Sequence, residues 1–156
     1  MLPSDVDIVV DESGKPYVAA RMLAELGPPP RISLSHVEGL TIAVAGPPEY
    51  SIGIDMQMTG RMKTADFIQS ALNPRELEKV EFLAGDKRDE MVLRIWAAKE
   101  AAAKKLGLGV KDWPSALEVT EISPDGTPAV VNGLGVQIAV SIRRHGETLV
   151  ALTHVD

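Results

Sequence analysis

Apolar and polar positions alternate in short runs at both ends of the chain and recur at helical spacing in the middle. Residues 7–10 form an apolar run, Asp11-Glu12-Ser13-Gly14 forms a turn, and residues 16–20 lead out, which predicts a hairpin. Residues 21–26 predict a short helical turn. Gly27-Pro28-Pro29-Pro30 ends it, because proline supplies no donor and disfavours helix in the residue before it. Ile32-Ser33-Leu34-Ser35-His36 alternates with period two, and the run from Leu40 to Ala45 follows across Glu38-Gly39, giving a second hairpin. Gly46-Pro47-Pro48 breaks the chain, and residues 51–56 predict another strand.

Three helices are expected next. Thr64 caps a short one through Asp66, Phe67 and Ile68. Asn73-Pro74-Arg75-Glu76 combines an Asn cap, proline at the first helical position and an acid at the third. A longer helix is predicted over residues 87–106, where Met91, Ile95, Ala98, Ala102 and Leu106 fall near helical spacing. Gly107 and Gly109 stop it. The tail predicts strands at residues 117–122, 129–131, 136–142 and 149–153.

The tail also echoes the head. Residues 12–18 resemble 124–130, at a separation of about 112 residues; Ile32-Ser33-Leu34-Ser35 resembles Ile138-Ala139-Val140-Ser141. That interval is too long for a solenoid, and a duplicated half-domain explains it better than chance similarity of hairpins.

Composition narrows the classes. The chain has 156 residues, one domain's worth, with 45% hydrophobic and only 4% aromatic residues, so its core must be aliphatic. No apolar run is long enough to span a bilayer. No secretory signal is visible, and a cytoplasmic setting is the default expectation. Cysteine is absent, which excludes disulfides and thiolate chemistry. A net charge of −6 argues against general nucleic-acid binding, though local lysines can still hold an anionic ligand.

Three segments carry candidate chemistry. On the long helix Glu100 and Lys104 are four residues apart and share a face with Trp96. Such a pair can hold a metal ion and present a cation to phosphate, or be a surface ion pair worth a few tenths of a kcal/mol. Asp55 lies among aliphatic residues on a strand; it is either a partnered buried acid able to ligate Mg²⁺ or a solvent-facing strand end. Ser35-His36 at a strand end suits a phosphate monoester, or His36 is structural. His145 and His154 show no metal-ligand spacing, and no Gly-rich phosphate loop or nucleophile elbow is present.

Taken in order, Gly14-Lys15-Pro16, Ser33-Leu34-Ser35-His36, Gly53-Ile54-Asp55, Leu72-Asn73-Pro74-Arg75-Glu76 and the run from Trp96 to Lys104 resemble the motifs of the 4′-phosphopantetheinyl transferase superfamily. The order resembles the surfactin-synthetase-activating type. The resemblance implies an α+β fold, an antiparallel sheet packed with helices in one and a partial pseudo-repeat. It would be a single domain over residues 1–156, with 1–46 ending a first half-repeat and 47–156 forming the second. The implied reaction moves 4′-phosphopantetheine from coenzyme A to a serine of an acyl or peptidyl carrier protein, with Mg²⁺, releasing 3′,5′-ADP. Asp55 and Glu100 would hold the metal, Glu100 would serve as general base, and Lys104 would contact a phosphate. Lys15, Ser35, His36 and Lys99 would bind coenzyme A, and Glu76 would stand as an acid behind the site.

The sequence departs from that pattern twice. The acid often found two residues after the Asp is Gln57 here, able to hold a metal-bound water without adding charge. Most of the first half-repeat is also missing, which implies either the remainder of a larger synthase or a homo-oligomer, such as a trimer, that completes the site. The other reading of the same resemblance is a catalytically decayed relative that binds carriers or scaffolds a multienzyme. An acidic carrier would need a basic patch, for which Arg61, Lys63, Lys104 and Lys105 are the candidates.

Overall fold

The computed structural model describes residues 6–19, 27–60, 64–108, 116–123 and 128–154. In chain order the elements are β1 (Asp7–Val10), β2 (Pro16–Ala19), β3 (Arg31–Val37), β4 (Leu40–Gly46), β5 (Ile54–Met58), α1 (Ala65–Ala71), α2 (Pro74–Glu81), α3 (Gly85–Leu106), β6 (Leu117–Glu121), β7 (Ala129–Gly133), β8 (Val136–His145) and β9 (Thr148–Thr153). Two antiparallel hairpins, β1–β2 and β3–β4, accompany a five-stranded antiparallel sheet in the order β5-β9-β8-β7-β6. The helices pack on that sheet, so the α+β class read from the sequence holds. The helical turn expected over residues 21–26 lies outside the described residues, as do residues 124–127 of the head–tail similarity. The other similar segments both fall on hairpins, residues 32–35 on β3 and residues 138–141 on β8.

Local chemistry sets the helix ends. Thr64 accepts the Phe67 N–H at 3.2 Å to open α1. At α2 the Asn73 side chain accepts the Glu76 N–H at 2.9 Å, and Glu76 accepts the Asn73 N–H at 2.8 Å, a reciprocal cap. α3 closes on Gly107, whose φ of 71° is a left-handed conformation that glycine adopts without a Cβ penalty.

α3 lies close against the sheet because the residues between them are small. Ala97, Ala98, Ala101, Ala102 and Ala103 are all buried, facing a core that includes Val119, Val131, Val140 and Ala151. Closest approach falls at Gly53, just before β5. A Cβ there would collide with the Ala101 carbonyl oxygen and sit 2.7 Å from the Lys105 nitrogen. Space, not backbone conformation, therefore requires glycine. Gly53→Ala is expected to cost about 1–3 kcal/mol, as overpacking does, in urea unfolding; an unchanged midpoint would mean that the two backbones are not in contact.

β5 begins three residues later than the sequence predicts and ends two residues later. Its span follows its partner: β9 covers Thr148–Thr153, and Ile54 pairs with Leu152 while Met58 pairs with Thr148. Gly53 still exchanges hydrogen bonds of 3.0 Å with Thr153 as the ladder runs out. β8 likewise runs on past Ile142, because Arg143, Arg144 and His145 keep register with β9.

β3 packs beside β5. Its serines, not its aliphatic residues, are the buried side: Ser33 is 3% and Ser35 6% exposed. Outward amides of β5 have no strand partner on that side, and the serine hydroxyls take them: Ser33 accepts from Ile54 N–H and Ser35 from Met56 N–H, each at 3.1 Å.

Candidate functional site

Asp55 is the centre of the polar cluster where β3, β5 and α3 meet. It is 3% exposed, so its charge requires partners. Oδ1 accepts the Ser35 hydroxyl at 3.0 Å and the Lys104 ammonium at 2.9 Å. Oδ2 accepts the Gln57 amide at 2.8 Å. Lys104 also donates to the Ile54 carbonyl at 3.0 Å, which leaves one of its three N–H groups for another acceptor.

Glu100, one helical turn before Lys104, shares a cavity of about 340 Å³ with Asp55, Gln57, Ser35, His36 and Lys104. Burial, and then the neighbouring charge of Asp55, push the Glu100 carboxyl up from its ordinary value of 4.5 to about 7; Lys104 opposes them. Two carboxylates and an amide form an oxygen donor set that suits Mg²⁺, which takes one or two carboxylates and completes its shell with water and phosphate. Among the described residues no group of three or more His, Asp or Glu gathers to hold a metal.

A second cavity of about 360 Å³ adjoins the first along His36, Glu100 and Lys104 and continues past Ser13, Gly14 and Lys15. The turn that presents Lys15 is tied by Asp11, whose carboxylate accepts from Ser13 N–H, the Ser13 hydroxyl and Lys15 N–H. Those bonds, led by the Ser13 hydroxyl, hold the Asp11 carboxyl below its usual value. A third and larger cavity, about 470 Å³, lies beyond Lys15 among Tyr17, Arg31 and prolines, and reaches neither carboxylate.

Residues 51–152, which run from just before β5 into β9, match the family model for the 4′-phosphopantetheinyl transferase superfamily. The chain belongs to that superfamily. It is also 38% identical over 65 residues to a holo-[acyl-carrier-protein] synthase of Aliarcobacter butzleri (strain RM4018), an alignment covering 38% of this chain and 50% of the relative. The chain thus spans about half the length of the curated relative it matches.

Within this superfamily member the expected site residues divide. Asp55, Gln57, Glu100, Lys104, Ser35 and His36 line one cavity, and Lys15 lines the adjoining one. Two residues do not join them. Lys99, expected to bind coenzyme A, is 0% exposed and paired with Glu76 at 2.8 Å, with a second bond to the Ala71 carbonyl at 2.8 Å. Burial lowers its ammonium from the usual range, with Glu76 opposing. No atom of Lys99 is open to a ligand, and that expectation is corrected. Glu76, expected behind the site, is 0% exposed and accepts the Val119 N–H at 2.7 Å besides Lys99. It joins α2, α3 and β6.

Ser35 needs a narrower correction. Its one proton is donated to Asp55, so in this arrangement it has none to offer a phosphate, which at neutral pH chiefly accepts. Trp96 packs its ring edgewise on Phe67, centroids 5.0 Å apart, and so fastens α1 to α3. Arg61 and Lys63 lie outside the described residues. Lys105 donates to the His154 carbonyl at 2.8 Å, a bond that orients its ammonium and leaves its charge in place. No helix among the described residues is long and apolar enough to cross a membrane.

Raising the Glu100 carboxyl has a stability consequence. Below pH 4.5 it is protonated both folded and unfolded, and folding is unaffected. As pH rises from there through about 7 the unfolded chain releases its proton first, so stability falls, by up to about 3 kcal/mol at ~1.4 kcal/mol per pH unit. In EDTA, Glu100→Gln should melt several degrees above the parent at pH 8 and with it at pH 4. Equal melting at both would show that the carboxylate is not confined.

Proposed function

We propose that the chain transfers 4′-phosphopantetheine from coenzyme A to a carrier-protein serine. The convergence of Asp55 and Glu100 on one cavity, with Lys104 between strand and helix, carries this reading. In it Asp55 and Glu100 would hold Mg²⁺, and Gln57 would support a water beside it. The bound cation would neutralise charge on the coenzyme A pyrophosphate. Glu100 takes the proton of the serine hydroxyl as general base. That oxygen bonds to the β-phosphorus as the bond to the leaving phosphate breaks, and 3′,5′-ADP departs. The remaining Lys104 N–H faces the phosphate, while Lys15 and His36 hold the nucleotide end. The work of the side chains is placement and charge compensation, as in phosphoryl transfer generally.

The same proposal covers the wider setting. Residues 1–46 end a first half-repeat and residues 47–156 form the second, in the manner of the surfactin-synthetase-activating type. The rest of a larger synthase, or copies of this chain, completes the coenzyme A site, in the cytoplasm. The hairpins support this by leaving Ile8 (58%) and Val10 (66%) exposed.

Gln57 favours the second reading, a decayed relative that binds carriers without modifying them. Incubation with coenzyme A, Mg²⁺ and an apo carrier separates the two. Mass spectrometry should find the phosphopantetheine adduct on the carrier; carrier binding with neither adduct nor coenzyme A binding would establish the decayed reading.

A further inference from the structure

We infer that Ser35 is a positioning residue for Asp55, fixing which carboxylate oxygen is left for a cation. The inference rests on the reading of Asp55 as a cation ligand.

Ser33 and Ser35 occupy alternate positions of β3 and perform the same first task. Each is buried, and each accepts one β5 amide at 3.1 Å. Among the described residues only Ser35 has a second bond, donated to Asp55 Oδ1. Its acceptance from Met56 N–H limits how the hydroxyl can rotate, and so aims its proton. The Met56 amide is itself held by the pairing of β5 with β9. A backbone-anchored relay therefore runs from Met56 through Ser35 to Asp55.

Counting acceptor positions shows what the relay achieves. A carboxylate oxygen has two lone-pair directions. Oδ1 receives Ser35 and Lys104, and is full. Oδ2 receives Gln57 alone among the described residues, which leaves one direction open. The terminal torsion of Asp is soft, and a single ammonium on a flexible stem does not fix the carboxylate plane. Two donors on Oδ1 from different elements, β3 and α3, do fix it. Ser35 thereby presents Oδ2 to the cavity shared with Glu100.

The test compares Ser35→Ala with Ser33→Ala in the whole chain. Ser33→Ala loses one bond to β5 and Ser35→Ala loses two, the second being the one to Asp55, so both should lose stability in urea unfolding and Ser35→Ala somewhat more. Titration with Mn²⁺ alone, followed by electron paramagnetic resonance, should show a dissociation constant about 10–100-fold higher for Ser35→Ala, and little change for Ser33→Ala. Ser35→Cys, which keeps the shape with a weaker donor, should fall between the parent and Ser35→Ala, and serves in its place if the alanine variant does not fold. Equal Mn²⁺ affinity in the Ser35 variants and Ser33→Ala would overturn the inference. A parent chain that binds no Mn²⁺ would overturn the cation reading and the inference with it.

Discussion

Glu100→Gln is expected to lower the rate of phosphopantetheine transfer by about 10³-fold or more while leaving the chain folded. One substitution removes two functions assigned to the same side chain. A positioned base contributes roughly 10²–10⁴-fold, and the amide also carries no charge for a divalent cation. Unfolding cannot explain such a loss if the variant is the more stable protein above neutral pH, as the burial of Glu100 requires. Raising Mg²⁺ should not restore the rate, because the missing base is not supplied by metal. Steady-state transfer to an apo carrier, read by intact mass, checks the effect; retention of more than a tenth of the parent activity would remove Glu100 from the chemistry.

The largest stability effect should come from the buried pair of Lys99 and Glu76. Lys99→Met should destabilise the fold by about 3–5 kcal/mol, the cost of stranding one member of a buried ion pair. Both side chains are 0% exposed, so Glu76 would be left with no counter-ion and no water. Adding Glu76→Gln should recover part of the loss. The amide oxygen still accepts from Val119 N–H, and no charge is left unpaired. Urea unfolding of the parent, the single and the double variant measures both. If Lys99→Met unfolds within 1 kcal/mol of the parent (on the scale of an exposed pair), the pair is not buried in solution.

Lys99 and Lys104 illustrate what the sequence could and could not disclose. Both stand in one helical motif, five residues apart, and both looked available to phosphate. On a helix five positions turn through more than a third of a circle, so the two point to different neighbours. Which neighbours is a tertiary question. α2 and β6 cover Lys99, whereas β5 covers only part of Lys104. Asp55 stood out as a lone acid in an aliphatic strand, whereas Glu100 was picked out by the resemblance of the Trp96–Lys104 run to the superfamily's motif, since an acid–lysine row alone is an ordinary helix-surface pair. The helix caps at Thr64 and Asn73 were legible because their interactions span three residues. The serines of β3 were not. Period-two alternation gives two faces but does not say which is inward, and here the inward face was decided by unpaired amides on β5. The extension of β8 through Arg143, Arg144 and His145 was hidden for a similar reason, since polar residues stay in a strand when the partner continues.

The central claim is that a strand carboxylate and a helix carboxylate grip one divalent cation against a diphosphate. A crystal soaked with Mn²⁺ and coenzyme A, examined by anomalous scattering, tests it most directly. The account predicts a manganese peak in contact with Asp55, Glu100 and pyrophosphate oxygens together. Coenzyme A bound with manganese elsewhere, or with neither carboxylate near it, would contradict the account.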